Sequence, residues 1–121
     1  MSQFIILLAG NPIPHQQALK INQRGGVYTN SKYKKMKEDF SMLLRLEANK
    51  QRFKPIKGDY SISCTIYFQN RKHCDLDNAA KGIFDAAQGI LFSNDKNAAE
   101  IFLYRMYDKK NPHVEIQIEE I

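Results

Sequence analysis

Between residues 60 and 87 the hydrophobic period changes once, from strand to helix, and that change limits the fold more than any other feature. From Tyr60 to Phe68, Ile62, Cys64, Ile66 and Phe68 alternate with Ser61, Ser63, Thr65 and Tyr67. Such alternation makes a strand with one face buried, and Cys64 on that face reads as a core residue. Leu76, Ala79, Ala80, Ile83, Phe84 and Ala87 then recur at helical spacing and form one apolar face. Gly89 supplies a stop just beyond it.

The rest of the chain is built around this pair. Residues 4–9 are a continuous apolar run, predicting a strand covered on both faces. Pro12 and Pro14 end it, since proline cannot donate to a ladder. Residues 15–30 have no period and contain Gly25-Gly26, so they read as a long loop, in which His15, Lys20, Arg24 and Tyr28 could meet a ligand. Thr29, Asn30 or Ser31 caps a helix running to about residue 50, with Tyr33, Met36, Phe40, Leu43 and Leu44 inward. Residues 100–107 and 113–118 read as strands joined by Lys109-Lys110-Asn111-Pro112, a predicted hairpin. The order strand, helix, strand, helix, strand, strand predicts an α+β domain over residues 1–121, two helices packed on a mixed sheet.

Composition excludes several classes. A chain of 121 residues holds one core, not two. No apolar run approaches the roughly 20 residues that cross a bilayer, and Phe4–Ala9 lacks the basic leader of a signal peptide. The two cysteines, Cys64 and Cys74, make neither a disulfide framework nor a zinc spacing. A reducing cytoplasm is the expected setting. The net charge is +5, with 18 Lys and Arg against 13 Asp and Glu. Lys32, Lys34, Lys35, Lys37, Arg52, Lys54, Arg71 and Lys72 form basic clusters, candidates for phosphate contacts to a polyanion.

Against this background the stretch Asp75-Leu76-Asp77-Asn78-Ala79-Ala80-Lys81, followed by Asp85 and Asp95, concentrates acid. Asp77, Lys81 and Asp85 fall on one helix face, opposite the apolar stripe. Asp75 stands at the helix entrance. Asp95 lies in the later turn Ser93-Asn94-Asp95 and joins the others only if that turn folds back. Converging carboxylates raise one another's pKa unless a cation compensates. Mg²⁺, or Mn²⁺ in its place, suits such oxygen ligands together with substrate phosphate. Lys81 could then neutralise charge developing on a phosphoryl group. The competing reading is ordinary structure: Asp75 as a helix cap, Asp77 and Lys81 as an i, i+4 ion pair, and Asp85 and Asp95 as surface residues.

The pattern Asp75-Leu76-Asp77-Asn78-x-x-Lys81-x-x-x-Asp85-Ala86 with downstream Asp95 resembles the signature of the RusA family of Holliday junction resolvases. The apolar first strand before a Pro-rich turn, the Tyr28-Thr29 entry into a Lys-rich helix and the run Ile101–Arg105 are also similar. The resemblance covers nearly the whole chain. The chain departs from the pattern at Cys74, where a basic residue is common, and at Asn94, where a second acid is. What the resemblance implies is a small homodimer that binds four-way DNA and makes paired, symmetric, Mg²⁺-dependent cuts. It implies Asp75, Asp77 and Asp95 as metal-binding catalytic acids and Lys81 as the catalytic lysine. Asp85 matches a position without an assigned role, and an ion pair with Lys81 is expected for it. A nuclease for flaps or other branched DNA, and a non-catalytic junction-binding protein, are the alternatives.

Overall fold

The computed structural model describes residues 1–21 and 23–121. Its main sheet has four strands, β1 (Ser2–Leu7), β4 (Tyr60–Phe68), β5 (Ala98–Tyr107) and β6 (His113–Glu120), in the order β1-β6-β4-β5. β4 runs parallel to β5 and antiparallel to β6, and β6 runs antiparallel to β1. Two helices, α1 (Ser31–Lys50) and α2 (Leu76–Ala87), lie on the inward-facing side of this mixed sheet. The α+β architecture is the expected one.

β4 is central because its sequence can satisfy both neighbours. Ile62, Cys64, Ile66 and Phe68 are buried, as the alternation required, while Ser61, Ser63, Thr65 and Tyr67 are half-buried on the open face. The helices complete the core from above, with Phe40, Leu44 and Ala48 of α1 and Ala79, Ala80, Ile83, Ala86 and Ala87 of α2. Each large apolar side chain so buried contributes about 1.5–3 kcal/mol. Small residues let the helices meet closely. A Cβ at Gly82 would stand 3.0 Å from the Tyr33 hydroxyl. Gly89, at φ 86°, takes the left-handed conformation that ends α2.

Three expectations are corrected. The first strand begins two residues early and is covered on one face only: Phe4 and Ile6 are buried, Ile5 and Leu7 exposed. It is an edge strand, and its outer face, with Ile5 and Leu7, stays exposed. The segment 15–30 is not all loop. After a 3₁₀ turn at His15–Gln17 it holds a short hairpin of β2 (Leu19–Ile21) and β3 (Val27–Thr29), with Gly25 at φ 79°. Residue 22 lies outside the described residues. Finally, β5 and β6 are not a hairpin, because β4 lies between them and pairs with both. A β4-α2-β5 unit makes β4 and β5 parallel, so the chain returns on β4's other side.

Candidate active site

α1 and α2 start differently, and the difference locates the site. Asn30, 4% exposed, caps α1: its Oδ1 accepts from Lys32 N (3.1 Å) and Tyr33 N (3.4 Å), and its Nδ2 donates to the Gln17 carbonyl (2.9 Å). Asp75 occupies the equivalent place before α2 in an extended conformation, but its carboxylate caps nothing. Asp77, in the first turn, is exposed beside it. Lys81, one turn on, is exposed and makes no ion pair with Asp77 or Asp85 among the described residues. The two structural roles that could have explained this acid pair, cap and i, i+4 salt bridge, are both unfilled.

The expected partner of Asp85 is also different. Its Oδ2 lies 3.3 Å from His15 Nδ1, which is 3.0 Å from the Tyr33 hydroxyl. Burial first, and the Asp85 charge second, push the Tyr33 hydroxyl above its usual range. Asp85 is therefore a strut joining α2, α1 and the 3₁₀ turn. Lys81, with four methylenes on the exposed side of the helix, is left to solvent.

The loop into Asp75 is held rigidly. Asn11 Nδ2 donates to Asn70 Oδ1 (2.8 Å) and to the Lys72 carbonyl (3.1 Å). The His73 ring stacks on Phe68, with centroids 4.1 Å apart. Its Nδ1 donates to the Cys74 carbonyl (2.7 Å), which leaves Nε2 to accept from the Tyr107 hydroxyl (2.8 Å) in the neutral ring. Arg71 and Arg105 both lie over the Tyr107 ring, their guanidinium carbons 4.8 and 5.8 Å from its centroid. Tyr107 and Arg105 escaped sequence reasoning, since nothing in a strand pattern marks which of its ends meets a distant loop.

Asp95 does not join Asp75 and Asp77. It opens a 3₁₀ turn, Asp95–Asn97, at the start of β5. The Tyr60 hydroxyl donates to its carbonyl (3.4 Å), and burial plus the Asp95 charge push that hydroxyl up to about 12. Tyr60 begins β4 and Asp75 follows its end. The 12-residue α2 that separates Asp75 from Asp95 in the chain spans about 18 Å. Among the described residues no three of His, Cys, Asp and Glu gather closely enough to hold a metal ion.

The basic candidates divide in the same way. Arg71 and Lys72 are exposed on the loop leading to Asp75, whereas Arg52 and Lys54 are exposed after α1, toward the Asp95 end. Lys32 is exposed on the first turn of α1, and Lys37 is half-buried toward α2. Lys34 and Lys35 pair with Glu38 (4.0 Å) and Asp39 (2.9 Å) on the exposed face, contacts worth a few tenths of a kcal/mol. The thiols take no part: both cysteines are free, and burial pushes Cys64 up to about 12. Among the described residues no helix is long and apolar enough to cross a membrane.

Two uncommitted carboxylates at a helix start, where backbone N–H groups favour anions, beside a free lysine and two stacked guanidiniums, make a surface for a phosphate and a cation. No curated protein matches the chain. The family model described as Endodeoxyribonuclease RusA matches residues 9–119, and the chain belongs to that family of Holliday-junction-resolving endodeoxyribonucleases.

Proposed function

We propose that this endodeoxyribonuclease cuts four-way DNA in symmetric pairs, as a homodimer, using Mg²⁺ or Mn²⁺ held by Asp75, Asp77 and Asp95. The observation that carries the reading is the idle carboxylate of Asp75, which stands at a cap position without capping. A carboxylate left unpaired beside Asp77 costs electrostatic energy, and a bound cation removes that cost. The donor set fits a hard cation, which needs only one or two carboxylates when substrate phosphate and water complete its shell. When bound, it would supply an activated water and polarise the scissile phosphate.

The chain's own residues do the rest. Asp75 and Asp77 fix the cation's place at the helix entrance, and the His73–Tyr107 contact fixes Asp75. Lys81 neutralises charge that develops on the phosphoryl oxygens. Arg71, Lys72, Lys32 and Lys37 hold flanking phosphates, joined by Lys34 and Lys35 once their weak carboxylate pairs open, and Arg52 and Lys54 hold more distant ones. Asp95, remote within its own chain, acts from a second copy. Two copies also match a substrate with two strands to cut. The setting is the cytoplasm of a bacterium or a phage-infected cell.

The test is cleavage of a synthetic four-way junction with and without Mg²⁺. Wild type nicks paired strands only with metal, while Asp77→Asn binds without cutting; a variant that cuts as fast as wild type sinks the assignment. Mixed dimers of Asp77→Asn with Asp95→Asn keep one intact site if Asp95 acts across copies, so they nick one strand. If each site lies within one chain, these mixed dimers are silent.

A further inference from the structure

Every residue of the β2–β3 hairpin strands is exposed. In their pairing Leu19 is opposed to Thr29 and Ile21 to Val27, so Leu19, Ile21 and Val27 share one face, with Lys20 and Tyr28 opposed on the other. Leu19 (62%), Ile21 (74%) and Val27 (64%) are thus held out toward solvent together. A two-stranded hairpin is marginal by itself, and three aliphatic side chains displayed this way add nothing to the core beneath. The base of the hairpin is nevertheless tied down. Asn30 N donates to the Ala18 carbonyl and Asn30 Nδ2 to the Gln17 carbonyl, each at 2.9 Å, and His15 meets Asp85.

We infer that this aliphatic face docks on the unstacked bases at the branch point of four-way DNA, and that it tells a junction from plain duplex. This rests on the junction reading above and names the part of the chain that makes the distinction. Charge selects the occupant. The first 37 residues carry Lys20, Arg24, Lys32, Lys34, Lys35 and Lys37 but no Asp or Glu, so the hairpin and the start of α1 attract a polyanion. A second copy seated on the same face would set cations against cations. Lys20 and Arg24 flank the aliphatic residues, placing positive charge where phosphates border bases. Position agrees with charge. Asp85, which anchors the hairpin base, shares a face of α2 with Asp77 and Lys81 and lies about 12 Å along the helix from Asp77. The hairpin therefore stands beside the nuclease residues.

A branch point suits an aliphatic surface. In continuous duplex each base pair is stacked on both sides, and inserting Leu or Ile between two of them costs unstacking energy. Where strands exchange partners, an open junction leaves base pairs with one face bare and wet. Covering those faces with Leu19, Ile21 and Val27 removes apolar area of both partners from water without that cost. Phosphate contacts make no such distinction, because duplex and junction carry the same backbone charge.

The test replaces the face with Leu19→Ser, Ile21→Ser and Val27→Ser together, binding being read in chelator so that no strand is cut. Affinity for a four-way junction should fall about tenfold or more, the worth of one buried aliphatic side chain. Affinity for linear duplex, and Tm, should not change. A fluorescent purine analogue at the branch point should brighten when wild type binds and stay dark with the triple variant. Equal losses on junction and duplex, or a junction preference the variant keeps, overturn the inference. So does a wild-type assembly that the triple variant loses in light scattering, since a second copy would then cover the face. A hairpin-dependent preference in a protein that cuts no junction with Mg²⁺ sinks the nuclease reading and leaves the hairpin standing. Paired cutting by a triple variant with its preference intact does the reverse.

Discussion

The starts of α1 and α2 set a filled and an unfilled cap position side by side. Asn30 commits its Oδ1 to its own helix and its Nδ2 to the turn behind it, and is buried. Asp75 spends none of its carboxylate on α2 and stays exposed. A cap stabilises a helix at little cost, and the Asp75 carboxylate is left without that use. α2 can forgo the cap because its apolar face is already packed between α1 and the sheet.

Substitutions can break this contrast, the largest effect coming first. Asp77→Asn or Asp75→Asn should lower junction cleavage by about 10³-fold or more, the loss of several kcal/mol of cation-derived stabilisation. Both should leave thermal stability within about 0.5 kcal/mol, as should Asp75→Ala; a Tm drop in Asp75→Ala matching a lost cap would make Asp75 structural after all. Lys81→Ala should slow cutting by about 10²-fold with junction affinity kept, read from single-turnover rates. It should not lower Tm, since Lys81 makes no ion pair among the described residues.

Asn30→Ala should do the opposite. It should cost about 1.5 kcal/mol, a fall of about 5 °C in Tm by calorimetry, with cleavage per folded molecule unchanged. Smallest is the ionic contribution. Arg71→Ala and Lys72→Ala should each reduce the slope of log affinity against log salt by about 1, whatever the junction sequence. Unchanged slopes would remove these two from the DNA contact surface.

How much of this was legible differs element by element. α2 and β4 were read from their periods, because each is amphipathic enough for local sequence to specify its buried face. β1 was misjudged in its cover, since an apolar run does not say whether one layer or two will pack on it. The β5–β6 pairing was misread because a polar turn between two strands marks a reversal, not adjacency, and β4 competes for both edges. The idle state of Asp75 was not visible either. An aspartate before a helix has the same letter whether or not it caps.

The site divides along the same line. Sequence alone marked the candidate acids and lysine, and determined the phase that keeps Asp77 and Lys81 off the core and the family to which the chain belongs. Helical periodicity and motif spacing are local properties, carried by the order of side chains. Only the tertiary structure decided that Asp95 lies at the far end. Parallel β4 and β5 require α2 to run back along the sheet, so the residue after β4 and the residue before β5 cannot meet within one chain. The crossover that builds the core is what separates the acids.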